Sequence, residues 1–400
     1  MQSWQPSATD SILSDSIHPY KLKTPAAAHR QVDLIDIGKL ILKLDTLNKR
    51  DSTGLRPTRL HVALLPFLGY TLQTGFGAVL AANAAFLTDK NSNENVSEIL
   101  TSLTYTQYNQ IIFPLQGNIW TKDNKYDFFA DWRYLKYPSY NYGLGDSSAS
   151  NTGEPINYSY VKFYQTLYRN IFKDTYIGLG YDIDYFWNIH AANPTISEQE
   201  DYEQYDFTTK SFASGPTLDL LYDSRKNPIN PSGGDYAQII YRYNARALGS
   251  DSDWQSLVVD LRKYIKLPFS SSNVLALWSY DWITVGGNPP YLLLPSIGWD
   301  SYWNTGRGYV QGRFRGRDMA YFESEYRFKI LNNGFLGGVV FANVESFSNE
   351  GLNKFGTVWP GWGAGLRIKL NKFSDTNLAI DYGFGLQGSG GIYVNLGEVF

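Results

Sequence analysis

Residues 235–246 read Asp-Tyr-Ala-Gln-Ile-Ile-Tyr-Arg-Tyr-Asn-Ala-Arg. Taken at every second position they separate into Ala237, Ile239, Tyr241, Tyr243 and Ala245 on one parity and Gln238, Ile240, Arg242, Asn244 and Arg246 on the other. Successive side chains of a strand point to opposite faces, so one face here is apolar and the other carries charge. The pattern recurs. Leu257, Val259, Leu261 and Ile265 oppose Ser256, Asp260, Arg262 and Lys266. Ala320, Phe322, Ser324, Tyr326, Phe328 and Ile330 oppose Glu323, Glu325, Arg327 and Lys329. Trp362, Ala364, Leu366, Ile368 and Leu370 oppose Gly363, Gly365, Arg367 and Lys369.

A soluble sandwich also alternates, but its strands are usually about 5–6 residues long. A strand crossing a bilayer needs about 9–11. From Arg59 onward the long type repeats, and many apolar stripes end in Tyr, Trp or Phe, as the girdles of a membrane barrel do. The alternation predicts an all-β membrane protein, an antiparallel transmembrane β-barrel of about sixteen strands. The segments are 59–70, 75–87, 98–107, 109–120, 126–137, 157–170, 174–188, 212–223, 234–247, 253–267, 273–285, 319–330, 335–345, 360–370, 376–386 and 391–400. An even count puts both ends of the barrel on one side. Short turns (121–125, 171–173, 224–233, 268–272, 331–334, 371–375) then fall at that side, and long loops (138–156, 188–211, 286–318, 346–359) at the other, the asymmetry of bacterial outer-membrane barrels.

Composition agrees. The 400 residues include 31 Tyr, 22 Phe, 11 Trp and 36 Gly, the residue types of strands, girdles and tight turns. Thirty-five basic against 38 acidic residues leave a net charge of −3, which gives no electrostatic footprint for nucleic acid. The absence of cysteine excludes disulfides, thiol nucleophiles and thiolate metal sites. No run of about 18 apolar residues predicts a membrane-crossing helix. The mean hydropathy of −0.32 does not argue against a barrel, because alternation averages toward zero.

Residues 1–57 differ from the rest. They hold few aromatics and show no basic patch followed by an apolar core at the start. Between about 32 and 47, Leu34, Ile37, Ile41 and Leu44 recur at helical spacing with Asp33, Asp36, Lys39 and Lys43 between them. This predicts an amphipathic helix in a segment preceding a barrel over 58–400. The helix either lies under the barrel, enters its lumen, or docks a periplasmic partner.

Catalysis finds little support. Only His18, His29, His61 and His190 are available, no metal-ligand spacing occurs, and no cofactor is expected. The chain is expected not to be an enzyme. The loop 286–318 holds Arg307-Gly308-Tyr309 and then the basic run Arg313, Arg315 and Arg317. Two placements stay open for it, exposed to solvent or folded back into a polar lumen, where Arg307 would meet an inward carboxylate.

At four places the chain resembles the BamA/TamA-type superfamily, the bacterial surface antigen family of sixteen-stranded outer-membrane barrels. Arg307-Gly308-Tyr309 is similar to the family's motif between strands eleven and twelve. Tyr222–Pro228 with Pro231 and Gly234 resembles its periplasmic turn. Glu325-Tyr326-Arg327-Phe328 resembles its strand-twelve motif, and a last strand ending in Phe400 resembles its C-terminal assembly signal. The resemblance covers about 59–400. It implies that Arg307 pairs with Glu325 in the lumen. The family's second carboxylate falls at Asn343, and Glu345, on the same face, is the expected substitute. It further implies an outer-membrane location with both termini periplasmic, surrounding lipid, and unfolded outer-membrane proteins as clients. The residues before the first strand are too few for a periplasmic receiving domain, so a barrel-only member with a separate periplasmic partner is expected.

Function would then reside at a weak seam between first and last strands. Pro66 lacks the N–H of a ladder residue, and Gly388, Gly390 and Gly391 weaken the start of the last strand. Such a seam would assist insertion or export of proteins. The other roles kept open are lipid scrambling or transfer, small-solute passage, and a passive pore.

Overall fold

In lipid every backbone polar group must find its partner within the protein, so only a helix or a closing sheet can cross. The computed structural model shows the second solution. It describes residues 32–34, 61–89, 95, 97–145, 153–191, 205, 208–225, 227–268, 273–301, 303–349, 354–371 and 375–400. Most of the predicted N-terminal helix, including Ile37, Ile41 and Leu44, lies outside these residues.

The strands are β1 (His61–Thr71), β2 (Gly75–Phe86), β3 (Ser97–Thr106), β4 (Ile111–Trp120), β5 (Tyr126–Lys136), β6 (Ser139–Asn141), β7 (Glu154–Phe172), β8 (Thr175–Ala191) and β9 (Lys210–Asp223). Then follow β10 (Gly234–Asn244), β11 (Trp254–Lys266), β12 (Val274–Gly287), β13 (Asp318–Lys329), β14 (Leu336–Asn349), β15 (Lys354–Asn371), β16 (Thr376–Gly385) and β17 (Gly390–Leu396). The short β6 continues β5 beyond Pro138 and pairs with the start of β7. Seventeen strands therefore make sixteen staves. Each stave pairs antiparallel with the next in sequence. The ends meet where β1 comes to lie beside β17, and the barrel is nearly closed.

The faces sort as alternation requires. On β13, Tyr321, Glu323, Glu325 and Arg327 are buried inside while Phe322 stands on the outer surface. Leu64 and Leu68 on β1, Leu167 on β7, Leu179 on β8 and Leu218 on β9 likewise face outward. This apolar exterior surrounds a charged lumen, the inverse of a soluble core. At one barrel end the connections are tight. Asp123, Asn124, Asp174 and Asp375 occupy positive φ there, where short polar side chains are tolerated best.

Three segments differ from the expected boundaries. The hairpin β14–β15 reaches to Asn349 and Lys354, so most of the loop predicted over 346–359 is paired strand. β7 begins at Glu154 because β6 gives it a partner. The last strand ends at Leu396 and not at Phe400. Gly397, at φ +92°, turns the chain, and its N–H donates to the Asn377 carbonyl at 2.8 Å. Val399 and Phe400 then fold inward and are buried. Phe400 is thus no strand terminus facing lipid, because its ring stacks on Trp278 in the lumen at 5.1 Å.

The outward face yields a quantitative expectation. Leu179, 71% exposed, pairs with Leu167 on the outer surface. Leu179→Arg should lower unfolding free energy in lipid vesicles by ~2–4 kcal/mol if the residue lies near the bilayer midplane. A urea titration of the reconstituted barrel measures this, and an unchanged midpoint would contradict a lipid-facing Leu179.

Candidate functional site

The loop between β12 and β13, the eleventh and twelfth staves, runs down into the lumen. A hydrophobic side drives it there: Tyr291, Leu293, Leu294, Ile297, Tyr309 and Phe314 are all buried. Phe314 stacks on Trp359 at 4.7 Å and lies against Phe347. The loop is closed on itself by Ile297 N–H to the Phe314 carbonyl (3.1 Å) and Gly312 N–H to the Ile297 carbonyl (2.9 Å). Asp300 stiffens its tip by accepting from the N–H groups of Asn304 and Thr305 at 2.9 and 2.8 Å.

Arg307 emerges from this loop and is 1% exposed. Its Nη2 donates to Glu325 Oε2 at 2.6 Å and also to Glu323, and its Nη1 donates to Asp381 Oδ2 at 2.6 Å. The guanidinium lies 3.6 Å from the centroid of the Phe341 ring. A planar, permanently charged fork that both stacks and donates suits this cage, where a compact ammonium could not lie flat on the Phe341 ring while reaching carboxylates on two strands. Asn343 holds the loop from the other side, its Nδ2 donating to the Arg307 carbonyl at 2.9 Å.

The partners of Arg307 are therefore Glu323 and Glu325 on β13 and Asp381 on β16. Glu345, the expected substitute carboxylate, is not among them. It is buried on β14, and neither oxygen has a hydrogen-bond partner among the described residues. Asp381 takes the place because β16 faces Gly365 on β15, and the missing side chain leaves room for its carboxylate over the neighbouring strand.

Glycine makes the seat for the loop backbone as well. Gly361 pairs with Gly385 and Gly363 with Gly383 across β15 and β16, giving a wall patch without side chains. A Cβ at Gly383 would stand 2.6 Å from the Gly308 nitrogen, and one at Gly385 would stand 2.6 Å from the Tyr309 ring. Gly308 itself has φ +119°, and a Cβ there would meet the Phe384 carbonyl at 2.5 Å. Tyr309 Oη donates to the Pro360 carbonyl (2.7 Å) and accepts from Leu386 N–H (2.9 Å).

The basic run divides. Arg313 and Arg315 are buried with the loop, Arg315 Nη1 donating to the Tyr291 carbonyl at 3.0 Å. Arg317 stays at the rim, donating to Asn288 Oδ1 and the Gly287 carbonyl at 2.9 and 2.8 Å. The loop is thus folded into the lumen and not spread in solvent.

At the seam, Pro66 sits inside β1 opposite Leu80 of β2, with its side chain exposed. Gly388 forms the turn before β17 at φ +75°, and Gly390 and Gly391 begin that strand. The Leu72 side chain occupies the space a Cβ at Gly391 would need. Of the residues predicted to form an N-terminal helix, Leu34 is placed at the tight-turn end, where Val32 N–H donates to the Asn333 carbonyl at 3.3 Å. The turn 222–234 is held by Arg225 on Asp223 (2.8 Å) and by Asn227 Oδ1 accepting from Ile229 N–H (2.9 Å). The loop leaves part of the lumen open beside β3–β12, a cavity of about 600 Å³ that includes Asp131, Lys162, Asp182, Asp219 and Arg242 in its lining.

Sequence reasoning missed Asp381, the glycine seat and Tyr393 of β17, whose hydroxyl accepts from Gly308 N–H. Alternate glycines on the inward parity of two successive strands were the available signal for the seat.

The same architecture occurs in solved structures. BamA from Haemophilus ducreyi lacking POTRA domains 1–3 superposes with a TM-score of 0.56 at 14% identity, over 84% of this chain and 69% of that one. CdiB from Escherichia coli gives 0.54 at 10% identity, over 91% and 70%. CdiB from Acinetobacter baumannii gives 0.52 at 12% identity, over 84% of this chain and 58% of that chain. No protein-family profile matches the chain, and no curated protein matches its sequence. At these identities the likeness defines the class by fold. The chain has the fold of a sixteen-stave transmembrane β-barrel, the architecture that these BamA and CdiB structures share.

Breaking a buried pair by removing one partner typically costs about 3–5 kcal/mol, because the remaining charges are left uncompensated. Arg307→Ala leaves buried Glu323 without its cation and takes one of the cations away from Glu325 and Asp381. Its barrel should therefore lose heat-resistant electrophoretic mobility at a distinctly lower temperature than the parent, and loop 288–317 should become protease-sensitive. Retention of both properties would show that the cage does not hold the loop.

Proposed function

We propose that this chain is a bacterial outer-membrane barrel that assists the insertion or export of protein chains at the seam between β1 and β17. The observation that carries the reading is the break in the ladder. Every other pair of neighbouring staves forms an antiparallel ladder, whereas β1 and β17 are adjacent with no ladder between them among the described residues. β17 has 7 residues against 11 in β1, so part of the β1 edge extends past β17. An unpaired strand edge is a template for an incoming strand, which supplies main-chain hydrogen bonds by β-augmentation. Local thinning of the bilayer beside a short strand assists the same step.

The likeness to BamA and CdiB supports this reading, as does a lumen occupied by the loop, which disfavours free diffusion of large solutes. Placing the tight turns and both ends of the barrel on the periplasmic side follows the asymmetry of such barrels. The partners are then lipid, unfolded outer-membrane proteins, and a periplasmic protein that delivers them. Lipid handling at the same seam is the alternative.

Leu72 and Gly391 touch across the seam, so Leu72→Cys with Gly391→Cys provides a reversible lock. In vesicles, the parent should accelerate folding of a denatured outer-membrane barrel. The oxidised pair should lose that acceleration and regain it on reduction. Full acceleration by the oxidised pair overturns the seam reading. Lipid scrambling without any acceleration of folding replaces it with the lipid-handling role.

A further inference from the structure

The lumenal loop enters from the long-loop end, and the four residues after β17 turn up from the tight-turn end. They meet. Asn304 Nδ2, on the loop, donates to the Val399 carbonyl at 2.6 Å. Tyr393 on β17 contacts the loop through one hydroxyl that accepts from Gly308 N–H at 2.9 Å and donates to the Tyr309 carbonyl at 2.7 Å. Ser389, just before β17, donates to the Gly308 carbonyl at 2.7 Å.

The charges connect the same two parts. Arg307 binds Asp381, and the other oxygen of Asp381 accepts from Arg367 Nη1 at 2.5 Å. Arg367 Nε in turn donates to Glu398 Oε2 at 2.6 Å. Around the other side, Arg307 binds Glu325, whose second oxygen accepts from Arg327 Nε at 3.0 Å. Arg327 lies 3.8 Å from Glu398 Oε2, and its Nη2 donates to the Phe400 carbonyl at 2.8 Å. Three arginines and three carboxylates alternate around a closed ring. Arg307 of the loop stands at one vertex and Glu398 of the tail at the opposite one. All six are at most 7% exposed at the side chain, so solvent screens the ring weakly.

We infer that this ring is a clasp that couples the lumenal loop to the last strand, with Glu398 as its positioning residue on the tail. Removing either vertex leaves its two neighbouring arginines or carboxylates with an unbalanced charge, and the remaining members must reorganise. Loop seating and tail seating are then two readings of one equilibrium. Coupling of this kind is reciprocal: what the loop does to the tail, the tail does to the loop. The tail is also held by the turn 222–234, where Glu398 N–H donates to the Ile229 carbonyl at 3.1 Å, and by Asn377 Nδ2 donating to Glu398 Oε1 at 2.6 Å. These contacts fix where the tail rests, and the ring reports whether the loop is down. If the seam is the working element proposed above, release of the loop is the step that frees β17 from inside. The coupling itself needs no activity to be observed.

Amide hydrogen exchange of the whole reconstituted chain tests it. Glu398→Gln keeps shape and removes charge. It should speed exchange at Gly308 and Tyr309, far from the substitution in sequence, by on the order of tenfold. Arg307→Gln should speed exchange at Gly397 and Glu398 to a similar degree. The double variant should exceed the larger single effect little, because both open the same clasp. Arg242→Gln, which breaks a lumenal pair outside the ring, should move neither site. Unchanged loop exchange in Glu398→Gln, or independent effects in the double variant, overturns the clasp. Should the charge variants fail to fold, Tyr393→Phe removes a single oxygen: faster exchange at Gly308 and across 390–398 together supports the coupling, and faster exchange at Gly308 alone refutes it. Loss of exchange coupling with assisted folding intact would sink this inference alone. Intact coupling with no assisted folding would sink the assembly reading alone.

Discussion

Hydrocarbon offers no hydrogen bonds, and that constraint organises this molecule. A chain crossing it must satisfy its backbone internally, and a strand can do so only by pairing on both edges. Sixteen staves in sequence order achieve this nearly all the way round. Their outward side chains meet lipid and their inward side chains meet one another and water. Once the sheet curls, the positions that a soluble protein would use for its core are turned outward, and charge is collected at the centre.

Charge collected in a lumen must be balanced locally, since burying an unpaired ion is costly. The wall meets this with short-range pairs such as Asp260 with Arg262 and Asp184 with Arg242, both at 2.7 Å. Near β13–β16 the wall carries Glu323, Glu325 and Asp381 close together. Arg367 and Arg327 answer part of that charge, and Arg307 arrives from the loop to complete the balance. A loop of mixed character, apolar in Tyr309 and Phe314 and cationic in Arg307, is thereby the natural filling for this half of the lumen. The glycines of β15 and β16 allow it to rest on bare backbone.

The same economy leaves one place unfinished. β17 stops at Leu396 because Gly397 directs the chain inward, and residues that would have extended the strand instead serve the ring. What the seam loses in ladder hydrogen bonds, the interior gains in ion pairs and in the stacking of Phe400 on Trp278. The early end of β17 and the inward packing of Glu398 and Phe400 are two consequences of a single turn in the chain.

Much of this was legible in the sequence. Period-two alternation gave nearly all stave boundaries within a few residues, because one oily and one polar face is a local property of each strand. It also placed the Arg307 loop between the eleventh and twelfth staves, and Glu323 and Glu325 on the inward parity. It did not reveal Asp381 beside Arg307, the idle position of Glu345, or Phe400 turned into the lumen. Those depend on which inward residues of distant strands come to face each other, and so on curvature, register and the room left by Gly365 and Gly383. The extended β14–β15 hairpin escaped notice because strand beyond the membrane need not alternate oily with polar. The two-residue periodicity of the chain determined which face each side chain takes; the closure of the sheet alone decided which of those faces meet.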